Sequence, residues 1–160
     1  MLLSVSEILE SDNLSESDLR MCISRIYYAI YHHFCIQCST LFLGDGTHLS
    51  RARAHIERFF GHDQLAESCK RCSEQPSESD FPQEVIKYAN TIYELREERC
   101  RADYQNYIHN ENGDLINPYS KEDVISKFSK VFNAIREYDN LPENDRRAFS
   151  AWVSFKKKKR

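Results

Sequence analysis

Two stretches of the chain concentrate side chains that handle phosphate and protons. The first carries Ser24, Arg25, Tyr27, Tyr28, Tyr31, His32 and His33. The second carries Arg96, Arg99, Arg101, Asp103 and Tyr104, with His109 beyond them. Guanidinium groups stay charged and grip phosphate as a planar fork. Imidazole takes and returns protons near neutral pH. Spacing then decides which groups meet. On a helix Arg99 and Asp103 lie about 40° apart and share a face with Arg96. Arg101 and His109 lie about 80° apart and roughly 12 Å apart along the axis. They cannot close on one phosphate within a straight helix; a break near Tyr107, or a second copy of the chain, would have to help. Arg25 and His32 are seven residues apart, nearly on one face, with Tyr28 between them.

Those groups need long helices to carry them. Apolar residues recur at three-and-four spacing, as in Leu19, Ile23, Ile26, Ile30 and Phe34, with Tyr27, Tyr31 and Phe42 widening the stripe. This predicts a helix over 16–43, central in a bundle. A short helix is expected over 4–11, behind a cap-rich connection. Thr47 is expected to cap a helix to Phe60, with Leu49 and Ile56 inward and Arg51, Arg53, Glu57 and Arg58 outward. Helices over 62–72, 82–109 and 120–138 follow, the last with Val124, Phe128, Val131, Phe132 and Ile135 inward. Pro142 opens a terminal segment. The fold expected is all-α, an up-and-down bundle of four to five main helices. The division expected is a bundle over 1–140 and a terminal helix with a basic tail over 141–160.

Composition narrows the chemistry. The 160 residues include only four Gly and four Pro. That argues against a turn-rich β fold and leaves no phosphate-binding glycine loop. No apolar run approaches the roughly 18 residues of a membrane span. The first residues carry no basic segment of a secretory signal, so a cytoplasmic setting is expected. The net charge is −3. Residues 141–160 carry seven Lys/Arg against two acids, so a basic tail follows an acidic body.

Three segments in order resemble the HEPN superfamily of small helical bundles. They are Ser24 to Cys35, similar to a serine-arginine-x-tyrosine-tyrosine-alanine signature; Gly44 to Phe60, similar to a threonine-histidine segment; and Tyr93 to Tyr107, similar to an arginine-x-x-alanine-aspartate-tyrosine helix. The resemblance implies a homodimer with polar signature groups facing a cleft. It also implies one of two activities. One is metal-independent RNA cleavage in a toxin–antitoxin or anti-phage defence system, with a cognate antitoxin as partner. The other is a non-catalytic module that binds a nucleotide or a nucleotidyltransferase-type protein. RNA cleavage needs a base for the 2′-hydroxyl, a cation for the phosphorane and an acid for the leaving oxygen. The resemblance assigns phosphate stabilisation to Arg99 or Arg101 and acid–base work to His109, with Asp103 beside them. Arg25, Tyr28, His32 and Tyr104 then line the cleft. His109 follows Arg101 after seven intervening residues, one more than the nuclease pattern usually allows.

Each group also has a plainer role. Arg99–Asp103 would be an intrahelical ion pair, and His109 a helix C-terminus favoured by the dipole. Tyr27 and Tyr31 would be core aromatics whose hydroxyls reach the rim. An Arg25–Asp103 link would join the two signature helices without catalysis. His48 would serve at a helix start. Cys35/Cys38 and Cys69/Cys72 have zinc-like spacing, but their helical, glycine-free context makes them packing thiols. No cofactor or metal is expected. The tail Phe155 to Arg160 would add salt-dependent affinity for RNA, and Trp152 would anchor the terminal helix.

Overall fold

The computed structural model describes residues 2–11, 13–44, 46–74, 80–104, 108–109, 115–116 and 119–155. Among these the chain is helical apart from one two-residue antiparallel pair. The helices are α1 (Leu2–Leu9), α2 (Glu16–Leu43), α3 (Ser50–Phe59, entered through a 3-10 turn Thr47–Leu49), α4 (His62–Glu74), α5 (Gln83–Tyr104), α6 (Lys121–Asp139) and α7 (Glu143–Phe155). Strands β1 (Ile108–His109) and β2 (Leu115–Ile116) pair between α5 and α6, His109 opposite Leu115.

Local sequence explains the helix boundaries. Ser15 and Ser120 each begin a capping box, exchanging bonds with Asp18 and Asp123 three residues on. Pro82 and Pro142 lend their carbonyls to the first amides of α5 and α7. Helix α2 ends at Gly44, whose φ of 68° suits a residue without a Cβ. The first helix starts two residues earlier than its pattern predicts, and the Ser6 hydroxyl turns back on the Leu3 carbonyl. The α5 pattern predicts helix to His109; the described helix reaches Tyr104, and Ile108–His109 form β1 instead. Near Tyr104, Arg20 of α2 donates to the Arg101 and Ala102 carbonyls at 3.3 and 3.1 Å, satisfying groups the helix end leaves open.

Helix α2 is the axis of the bundle. Leu19, Ile23, Ile26, Tyr27, Ile30 and Phe34 are buried along it, and α1, α3, α5, α6 and α7 pack around it. Helix α7 contributes Phe149, Ser150 and Val153 to the same core. On α6 the inward set is Val124, Val131, Ala134 and Tyr138. Phe132 is 52% exposed, which corrects its expected inward position; it stands next to Val131, and only one of two such neighbours can face the core. Phe42 is also exposed, resting against Phe155. Cys22, Cys35, Cys38, Cys69 and Cys72 are buried free thiols. Burial pushes Cys35 and Cys38 up to about 12, which makes them packing groups rather than nucleophiles.

One polar relay runs from this core to the surface. The Tyr88 hydroxyl, kept protonated by burial, donates to His33 Nδ1 at 2.7 Å. His33 Nε2 then donates to Asp139 at 3.0 Å. Burial holds the imidazole pKa below its ordinary 6.5, with Asp139 only partly offsetting it. The unfolded chain therefore takes up a proton before the folded one does. Stability is expected to be full above about pH 6.5 and to fall as pH drops through the window below it. Urea midpoints near pH 7 and near pH 5 measure this. His33→Gln should shrink the difference, and an equal pH dependence in the variant would refute the assignment.

Candidate functional site

The polar signature groups do converge, on a junction of three helices. Helix α2 presents Ser24, Tyr28 and His32; α5 presents Arg96, Arg99, Asp103 and Tyr104; the start of α4 presents His62. Between α4 and α5 lies an open cleft of about 510 Å³, lined by His62, Arg96, Arg99, Cys100 and Tyr104 among others.

Arg99 is its centre. Its side chain is only 16% exposed and lies 2.6 Å from Asp103, one turn along α5. The contact is electrostatic, since Nε has no aligned hydrogen-bond acceptor. The guanidinium donates to the Tyr28 hydroxyl at 3.1 Å. It also sits 5.5 Å from the Tyr28 ring and 5.2 Å from the Tyr104 ring, both within cation–π range. Tyr104 is 69% exposed, so one aromatic face of the site is open. His32 is exposed and stacks on Tyr28, with centroids 6.0 Å apart.

His62 is the residue that sequence patterning passes over. It opens α4 directly after Gly61, and only that glycine–histidine start hints at it. The Tyr27 hydroxyl holds its Nδ1 at 2.7 Å, and the ring lies 4.2 Å from Tyr31 and 5.6 Å from Tyr28. Among the described residues Nε2 has no partner. Burial, then Arg99, then the neighbouring His32 and Arg96 hold the imidazole pKa below its ordinary value, against the pull of Asp63. The ring is thus a positioned, neutral base at physiological pH.

The remaining expected residues are placed as follows. Arg101 leaves the cleft face and pairs with Glu98 at 3.6 Å. His109 lies past the end of α5 in β1, so the helical arithmetic linking it to Arg101 does not apply, and its side chain lies outside the described residues. Arg25 does not reach Asp103. Ser24, one residue earlier, donates to that carboxylate instead, and Arg99 takes its other side. Arg25 has no ion pair among the described residues. Tyr27 and Tyr31 are buried; the Tyr31 hydroxyl donates to the Phe60 carbonyl at 2.6 Å. His48 is exposed on the turn before α3. Lys156 to Arg160 lie outside the described residues.

No family model, curated protein or solved structure matches this chain.

Residue chemistry therefore carries the reading. Among the described residues no three of His, Cys, Asp and Glu come together as a metal ion would require. What does come together is one cation, two imidazoles and two aromatic rings, Tyr104 exposed and Tyr28 half-buried. Arg96 adds a second cation, tied to Asp63 across the cleft mouth and to Glu97 on its own helix. A hollow of about 270 Å³ between α5 and α6 offers no such set. Its Lys87 pairs with Glu137, and its Lys130 with Glu94.

Proposed function

We propose that the protein acts on RNA through this cleft, as a HEPN-like ribonuclease that cleaves without a metal ion. The observation that carries the reading is that Arg99 and His62 line one cleft, with the guanidinium 5.2 Å from the open ring of Tyr104. With Nδ1–H donating to the Tyr27 hydroxyl, neutral His62 takes the 2′-hydroxyl proton at Nε2; the 2′-oxygen bonds to phosphorus, the P–O5′ bond breaks, and the leaving oxygen takes a proton from solvent. Arg99 stabilises the charge that builds on the phosphorus oxygens, where a fixed cation in a partly dry site is most effective. Tyr28 and Tyr104 hold the arginine's plane and offer a face to a base. His32 is the second imidazole in reach. A homodimer closing the open side, and service in a toxin–antitoxin or defence system, follow from the HEPN resemblance.

One observation favours a second reading, a non-catalytic module that binds a nucleotide or a partner such as a nucleotidyltransferase. Both cleft arginines already hold carboxylates, Arg99 with Asp103 and Arg96 with Asp63. A ligand would have to displace or join those pairs.

Incubation of the purified protein with total RNA in excess chelator separates the two. Cleavage that leaves cyclic phosphate ends is expected to persist in chelator and to fall about 10²-fold or more in His62→Ala. His109→Ala, run alongside, tests the histidine that the resemblance assigns. No cleavage of any RNA by the wild-type protein would leave the binding module as the function.

A further inference from the structure

We infer that the outer face of α3 is a track for the RNA backbone that leads into the cleft. His48, Arg51, His55 and Arg58 recur at three- and four-residue spacing, which places them along one side of the turn and helix. All four are exposed. Among the described residues none of them has an ion pair or a hydrogen bond. Most described cations outside α3 are paired with an acid, Arg25, Lys121, Arg136 and Arg146 being the exceptions. Arg20, Arg71, Arg96, Arg99 and Arg147 each hold a carboxylate, and Lys127 and Lys130 do too.

The sequence of α3 could have neutralised the stripe and does not. Its one acid, Glu57, turns inward and accepts from the Ser39 hydroxyl at 3.1 Å. Its other arginine, Arg53, also turns inward, to Thr40 Oγ1 at 2.9 Å and to the Gly44 carbonyl. This corrects the expectation that both face outward. Arg51 and Arg58 stand two turns apart on that face, and a bound polyanion would satisfy both charges.

Continuity with the cleft selects the occupant. Helix α3 runs back along α2: Arg53 meets Thr40, Glu57 meets Ser39, the Phe60 carbonyl meets Tyr31, and His62 meets Tyr27. The axis of α3 therefore runs toward His62, and the stripe ends four residues before it. It is about 15 Å long, long enough for a few successive phosphates. Phe59, 58% exposed beside Arg58, gives a base a ring to stack on. The inference rests on the RNA reading of the cleft and adds the path taken by the flanking nucleotides.

Fluorescence anisotropy with labelled oligouridylates of about four and about sixteen nucleotides tests it. Arg51→Gln/Arg58→Gln is expected to weaken binding of the long probe and leave the short one unchanged. The slope of log affinity against log salt should fall by about 1 to 1.5. Wild-type affinity and slope in the variant would overturn the track. Equal losses on both probes would also overturn it, by placing those arginines at the cleft. A variant that turns monomeric while binding RNA normally would reassign the face to contact between copies. If the variant shows the expected losses but the wild type cleaves nothing, the track stands and the nuclease reading falls.

Discussion

Arg99→Ala is expected to lower chelator-resistant RNA cleavage by about 10²–10³-fold, the usual cost of removing one fixed charge-stabilising group from an active site. The size of the effect follows from how firmly the guanidinium is held. Tyr28 and Tyr104 bracket it, Asp103 lies 2.6 Å away, and the Tyr28 hydroxyl accepts from it at 3.1 Å. Such a group needs little reorganisation as charge develops. Arg99→Lys should recover little of the rate. A lysine keeps the charge but loses the planar contact with the rings and the second donor. The fold should survive both changes, because Asp103 keeps its bond from Ser24. Initial rates beside a circular dichroism melt distinguish the outcomes. Wild-type rates in a folded Arg99→Ala protein would remove Arg99 from the chemistry.

The largest stability effect is expected at Phe149. Phe149→Ala should cost about 3–5 kcal/mol, a large share of the roughly 5–15 kcal/mol that holds a typical domain together. The ring is fully buried and meets Phe34, Phe81, Tyr88 and Tyr138 at centroid distances of 5.7, 5.7, 6.3 and 6.1 Å. It is the point where α7 locks onto α2, α5 and α6. Phe149→Leu keeps most of the volume and should lose far less. Equilibrium urea unfolding measures both. Below the melting range any cleavage should be unchanged, since the rings Phe149 meets are none of the cleft residues. A loss under about 1 kcal/mol would mean that α7 contributes little to the core.

Periodic segments were legible in the sequence. The apolar stripe from Leu19 to Phe34 defined α2, and Ser120 marked the start of α6. Signals weakened where two elements compete for one residue. Val131 and Phe132 are equally apolar, and only packing shows which one turns inward. The expected run of α5 to His109 was misjudged because Gln105 to Ile108 carry no breaker, while Ile108–His109 pair with Leu115–Ile116 instead. The candidate cluster was legible only in part, since Arg25 and Arg101 do not join it. Arg99, Asp103, Tyr28, His32 and Tyr104 do share one locality. His62 was not legible, because its role depends on Tyr27, thirty-five residues away. Arg25 was misassigned for a related reason: a one-residue shift on α2 gives Asp103 to Ser24.

The three-helix junction has a consequence for the order of synthesis. Tyr28 leaves the ribosome first, His62 next and Arg99 last, so a nascent chain holds no complete cleft until α5 has emerged and docked. Any product truncated before α5 lacks Arg99 altogether. Assembly of the cleft is thus tied to completion of most of the bundle, and no partial chain carries its full set of side chains.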